Sequence, residues 1–419
     1  MCNVHMGAAK KMKQDISNLA TEHLIFGRYY RIAKFFMIVS GQWPPQEKRI
    51  KVPLITVQDV IIVVSIITVL MNVVVNSSTE SLFESVAGST LGVYGLVEQI
   101  MILSRQKSVR NILISINNDW NNLRLREEHE IMHKFGKRSY FLTATVVLLI
   151  IGSSNTFISL PLIIIIMNYV APLNESRPIP SIIEAEYFVD PVKYQLPIFI
   201  HIYGFTYCVV SALLTYDCLI ITFIHHSSAL FDVAGFYFGK LLYKDRGYLN
   251  EYFPETIGYS TAKRQEYIFR RCVKKHLRAI EFADELKNAL SLPCLIMLLC
   301  NFIEGTAISV YLMEVLGTNL KTLRYTIFLI THVVHHFIFC APGQVLTDYS
   351  ELFYYKILYG EWYSLPVKCQ KMIVIILRKS KTPCYLSCGK FFILGYDIYA
   401  KGMQTMFSYC AMMLSLHKH

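Results

Sequence analysis

Residues 48–82 read KRIKVPLITVQDVIIVVSIITVLMNVVVNSSTESL, and this stretch decides the fold. Lys48, Arg49 and Lys51 precede an apolar run over 53–75 in which Asp59 is the only ionisable residue. As a helix rising ~1.5 Å per residue, the run is long enough to cross ~30 Å of hydrocarbon. Beyond it, 76–82 holds no Lys or Arg, but it does hold Asn76-Ser77-Ser78, an N-x-[ST] sequon. Glycans are added to such sequons in the secretory lumen, and basic residues are retained in the cytoplasm. The stretch therefore predicts a spanning helix that enters from the cytoplasmic side.

The same reading extends along the chain. Six further apolar runs lie at 83–104, 139–170, 196–224, 291–316, 325–345 and 391–414. Lys plus Arg number 9 in 1–52, 8 in 105–138, 11 in 225–290 and 7 in 346–390, against 2 in 171–195 and 2 in 317–324. The rich and poor segments alternate, which places the rich ones inside. The other sequon, Asn174-Glu175-Ser176, falls in a poor segment and agrees. The expectation is an all-α membrane protein of seven transmembrane helices, with an intracellular N-terminus and an extracellular C-terminus.

Composition narrows the class. A chain of 419 residues that is 53% hydrophobic and 17% charged, with mean hydropathy +0.38, reads as one helical membrane domain. The first 52 residues lack a signal-peptide pattern, so the first span is expected to direct insertion. The net charge of +11 is spread over cytoplasmic segments, which suits anionic membrane lipid; no nucleic-acid module is evident. None of the eleven cysteines falls in an outer loop, so no lumenal disulfide framework is expected. Cys384 and Cys388 lack the paired knuckles of a zinc site.

Between the spans, Ile112, Leu113, Ile116, Trp120, Leu123 and Leu125 are spaced for a cytoplasmic helix, and a charged helix is predicted from Arg270 to Glu285. Pro44-Pro45 should stop any helix ahead of the first span. The outer segment 171–195 carries Glu175, Glu184, Glu186 and Asp190, an acidic mouth that would concentrate cations. Lys401 splits the last run, and the remainder holds Gln404, Thr405, Ser408, Tyr409 and Ser415. Two roles stay open for it: a water-facing pore helix, or a satellite helix bonded to its neighbours.

Three patterns bear on chemistry. His129-Glu130-Ile131-Met132-His133 matches H-E-x-x-H, but it lies in a charged segment without a third ligand. His332, His335 and His336 resemble one histidine box of a membrane metal enzyme, with only His225-His226 as a companion at another depth. A metal-dependent enzyme is thus the alternative of another class, and the residues themselves require neither cofactor nor metal. Glu304 is the carboxylate set deepest in a span, and it needs a donor from His332 or His335, or a wet ligand pocket.

Several separated pieces carry a likeness to a known family. They are Trp43-Pro44; Asp190-Pro191 with Asp217 and His225-His226; Cys340 followed by Gly343-Gln344-Val345-Leu346-Thr347, Ser350-Glu351-Leu352 and Trp362-Tyr363; then Ser380-Lys381-Thr382-Pro383, Cys388-Gly389-Lys390-Phe391 and Phe407-Ser408-Tyr409. In order and spacing the chain resembles the insect odorant receptors, seven-helix ligand-gated cation channels with the N-terminus inside. G-protein-coupled receptors have the opposite orientation and motifs that this chain lacks. Gustatory receptors, which would act as homomeric channels, carry Thr-Tyr where Ser408-Tyr409 stands here.

The resemblance implies an odorant-specific subunit that joins the odorant receptor co-receptor in a heterotetramer at the plasma membrane of an olfactory neuron dendrite. It divides the chain into a cytoplasmic segment 1–52, six helices with the ligand-binding bundle in 53–345, and a helical cytoplasmic anchor plus pore-lining seventh helix in 346–419. Carried over through Asp397, Ala400 and Ser408-Tyr409, the gate falls at Met412, Ser415 and Leu416. A small volatile odorant would sit in the outer half of the bundle. By depth, the candidates to contact it are Tyr94, Ser153, Phe157, His201, Phe205, Tyr325 and Phe328. Asn76 and Asn174 are the candidate glycosylation sites.

Overall fold

The computed structural model describes residues 28–76, 79–171, 183–243, 258–317 and 319–417. In chain order the helices are α1 (Arg31–Val39), α2 (Lys48–Val75), α3 (Thr79–Ser104), α4 (Gln106–Asn121), α5 (Arg126–Val170), α6 (Gln195–Leu242), α7 (Thr261–Glu314), α8 (Asn319–Leu358), α9 (Val367–Ser380) and α10 (Tyr396–His417). A two-residue hairpin, β1 (Ser387–Cys388) with β2 (Phe392–Ile393), precedes α10. Among the described residues, six helices, α2, α3 and α5 to α8, are long and apolar enough to cross a membrane.

The first span shows how such helices are built. The buried residues of α2 are Gln58, Ile62, Ser65, Val69 and Asn72, an inner stripe of mostly small or polar side chains. Val57, Val60, Val63, Val64, Ile67, Leu70 and Val74 face outward. This inverts the pattern of a water-soluble helix, because hydrocarbon solvates Val and Ile while amides and hydroxyls need partners inside. Packing is close where side chains are small. A Cβ on Gly92 of α3 would stand 2.7 Å from Ile66 Cγ1, and one on Gly95 would stand 3.1 Å from Val209.

Helix α6 is the axis, buried almost continuously from Val209 to Leu242 and packed by α1, α2, α3, α5, α7 and α8. Its 48 residues and the 54 of α7 make rods of roughly 70 and 80 Å, far longer than a bilayer is thick. The excess carries the basic residues and forms a helical base with α1, α4 and α9. There the Arg278 guanidinium is bidentate to Asp119, at 2.7 and 2.8 Å, and His226 Nε2 lies 3.1 Å from the same carboxylate. Burial alone would push the Asp119 carboxyl up, but the bonds from His226 and Arg278 hold it below the ordinary aspartate range. Gly389, at φ +63, turns the hairpin onto α7, where its N–H donates to Ser291 O at 2.7 Å.

Helix α10 splits lengthwise. Ile398, Gly402, Met406 and Cys410 are buried, whereas Lys401, Gln404, Thr405, Ser408, Met412 and Ser415 are exposed along a neighbouring stripe. Among the described residues, nothing covers the polar stripe of this helix.

Candidate functional site

A cavity of about 100 Å³ lies between α3, α5, α6, α7 and α8, toward the end of the bundle that carries Asn76. Gly88 and Leu91 of α3, Ile150 of α5, Val209, Val210 and Leu213 of α6, and Phe328 of α8 supply apolar wall, and Ile183 closes it from the loop before α6. Ser153, Ser154, Thr206 and Thr331 also line it. Ser154, Thr206 and Thr331 bond to a carbonyl four residues back at 2.8, 3.0 and 2.9 Å, so their hydroxyl protons are already committed and little polarity remains for the cavity. A space of this kind binds small molecules chiefly by desolvation and shape.

Charge is confined to the two ends. At one end Glu84 accepts from Tyr311 Oη at 2.6 Å and from the Glu184 N–H at 3.3 Å. Lys321 stands 3.9 Å from Glu84 and 3.3 Å from Glu184, tying the loop before α6 to α3 and α8. At the other end lie Glu304, His332 and His335. His335 Nε2 donates to Asp217 Oδ2 at 2.7 Å, and His332 Nε2 donates to the Asn301 carbonyl at 3.1 Å. The Asn301 amide in turn donates to Tyr94 Oη at 2.8 Å. Glu304 has no hydrogen-bond partner among the described residues; its contact is His332 Nδ1 at 3.9 Å.

This end of the cavity adjoins α10. A Cβ on Gly305 would meet Met406 Cε at 2.5 Å and His332 Nε2 at 2.6 Å, so the imidazole and the methionine crowd the same space beside the α7 backbone. One residue of the cavity wall thus packs beside the terminal helix.

Of the seven residues that the sequence singles out for ligand contact, Ser153, Tyr325 and Phe328 line the cavity. Tyr94 lies beyond it, in the network with Asn301. Phe205 fills the space between α2, α3 and α6 with Ile62 and Val209, and His201 bonds Tyr187 Oη at 2.8 Å in the segment before α6. The Phe157 side chain lies outside the described residues, as do Asn174 and the side chain of Leu416. Sequence reasoning missed Glu84, Gly88 and Leu91. Glu84 sits one residue inside the second apolar run and reads there as an interfacial carboxylate, and Gly88 and Leu91 carry no chemical mark.

Most of the motif histidines have hydrogen-bond partners, whereas His336 has none among the described residues and packs against Phe302 and Tyr399. His129 Nδ1 is 2.9 Å from Leu125 O, and His133 Nδ1 is 2.9 Å from Tyr29 Oη. His225 Nδ1 is 2.8 Å from Ile221 O. Among the described residues, no group of three or more His, Cys, Asp and Glu is arranged to hold a metal.

Comparison with known proteins agrees with this architecture. No curated protein sequence matches the chain. The fold is similar to that of the insect olfactory receptor OR5 from Machilis hrabei in complex with eugenol, with TM-score 0.71 and 13% identity over 94% of this chain and 98% of that one. A second structure of that receptor gives 0.67 and 14% over 92% and 97%. The family model described as 7tm odorant receptor matches residues 78–407. A helical membrane bundle around a small-molecule cavity, matched over most of its length by that model, is a ligand-gated receptor rather than an enzyme, and the chain belongs to the 7tm odorant receptor family.

Proposed function

We propose that the chain is the odorant-specific subunit of a heteromeric, ligand-gated, non-selective cation channel in the plasma membrane of olfactory neuron dendrites. The odorant occupies the cavity among α3, α5, α6, α7 and α8, and α10 is the seventh spanning helix, lining a pore shared with the odorant receptor co-receptor in a heterotetramer. Residues 1–52 and the base lie in the cytoplasm, and Asn76, Asn174 and the C-terminus lie outside. Met412, Ser415 and Leu416 form the constriction, which excludes ions by dewetting until it widens.

The observation that carries this reading is the packing of His332, a cavity residue, beside Met406 on the helix with the polar stripe. A ligand that favours one spacing of α7 and α8 must then favour one position of α10, which is what gating by population shift requires. The apolar walls suit a volatile molecule, and eugenol in the similar receptor is of that kind.

The test is whole-cell recording. Co-expression with the co-receptor should give an odour-evoked cation current that this chain alone does not give, and Leu416→Lys should change its amplitude or ion selectivity. A surface-expressed complex silent to a broad volatile panel would refute the proposal, and current without the co-receptor would assign a homomeric channel instead.

A further inference from the structure

The cavity has one end that is satisfied and one that is not. At the satisfied end Glu84 already accepts from Tyr311 and from a backbone N–H, with Lys321 nearby. At the other, the Glu304 side chain is 4% exposed, lines the cavity and accepts no hydrogen bond from any described residue. Its neighbour does not relieve it. The Asn301 carbonyl can only accept, so the His332 Nε2 that faces it at 3.1 Å carries the proton. In the neutral ring that burial favours, Nδ1 is then a bare acceptor as well. The unpaired Glu304 carboxyl and the bare His332 Nδ1 thus stand 3.9 Å apart at the edge of an apolar space, each with acceptor capacity unused.

That spacing has a natural complement. An oxygen or nitrogen about 2.9 Å from both acceptors completes a triangle of ordinary hydrogen-bond length, and it can be reached from the cavity. An ether or ester oxygen there could at most accept from a protonated Glu304 and would leave His332 Nδ1 unmet, whereas a hydroxyl offers a proton of its own and an ammonium several. Taking the cavity to be the odorant site, as proposed above, we infer that it selects small molecules with an apolar body and a terminal hydrogen-bond donor, an alcohol or an amine, over donor-free molecules of the same size. Glu304 is the specificity-determining residue and His332 the second acceptor. The donor points toward α7 and α8, and the body lies against Leu91, Val209 and Phe328.

Three probes of nearly equal size test this: hexanol, hexylamine and the isomeric methyl pentyl ether, with binding to the purified receptor complex followed by ligand-induced thermal stabilisation. Hexanol or hexylamine should bind about tenfold tighter than the ether, as expected of one further hydrogen bond in a buried site. Which of the two wins tells whether Glu304 meets a neutral donor or an ammonium. Glu304→Leu should bring the ratio close to one by weakening the alcohol and the amine relative to the ether. Removing an unpaired buried carboxylate should not cost the fold, and Glu304→Gln, of the same shape, should abolish any preference for the amine over the alcohol. Equal binding of ether and alcohol by the unmodified receptor would overturn the inference, as would a preference that survives in Glu304→Leu. Binding of the ether alone or equally would leave the cavity as the odorant site, whereas failure of all three probes would overturn that reading and the donor rule with it.

Discussion

Gly305→Ala tests whether the cavity and the terminal helix touch. The added Cβ would lie 2.5 Å from Met406 Cε, 2.6 Å from His332 Nε2 and 2.9 Å from His332 Cδ2. Ordinary carbon contacts begin near ~3.5 Å, so each neighbour must retreat by about 1 Å. Met406 is reached at the end of a flexible side chain and can swing away cheaply. His332 cannot, because its ring is held by the bond to Asn301 O and stands against the cavity. Against the ~1 kcal/mol that alanine gains over glycine within a helix stands an overpacking cost of about 1–3 kcal/mol, with a hydrogen bond of ~1 kcal/mol lost besides. A net penalty near ~1.4 kcal/mol placed on the ligand-bound arrangement raises the half-maximal odorant concentration about tenfold. The assay is the concentration–response curve of the odour-evoked current at matched surface expression. A double-mutant cycle with Met406→Ala should show non-additivity, since the second change removes one of the two clashes. A half-maximal concentration within twofold of the parent, or effects of the two changes that simply add, would refute the contact as a coupling element.

Two further outcomes follow from the base and the loops. Asp119→Asn leaves Arg278 and His226 facing a weaker partner in a largely buried site, and should lower the stability of purified protein by about 3 kcal/mol, read as a fall in melting temperature. Because the folded Asp119 carboxyl titrates below its unfolded value, the unfolded state binds the extra proton. The contribution is therefore complete above about pH 4 and is lost as pH falls through the lower folded value, so the parent and Asp119→Asn should converge in melting temperature on acidification below about pH 4. Asn76→Gln and Asn174→Gln should each remove one endoglycosidase-sensitive mobility shift from the mature protein, and its absence in the parent would contradict the lumenal placement of both loops.

How much could be read beforehand depended on which solvent each residue faced. The run 53–75 was plain because lipid demands apolar side chains over a whole span. Pro44-Pro45 likewise fell where expected, between α1 and α2. The continuity of α7 has a related cause: a helix that crosses an interface changes solvent and not conformation, so the charged stretch from Arg270 to Glu285 and the apolar run from 291 onward share one helix, Thr261–Glu314. In the site, Glu304 and the histidines stood out because a charge within a span must face inward. The walls did not. Leu91 and Val209 are the same residue types that other faces turn to lipid, and aromatic residues chosen by depth were divided by helix rotation, so that Tyr325 faces the cavity while Phe205 packs behind its wall.

The length of α7 has a mechanical consequence. This helix joins Glu304 at the cavity to Arg278 in the base, and between them Pro293, which has no N–H to give to the carbonyl four residues back, supplies a point of bending. Gripped by lipid partway along, the helix is a lever with the bilayer as fulcrum. A tilt of about five degrees of the inner arm, roughly 48 Å from Pro293 to Thr261, carries its far end about 4 Å, more than a hydrogen bond can stretch. A ligand that shifts this arm makes or breaks contacts at Arg278, roughly 40 Å of helix away from Glu304.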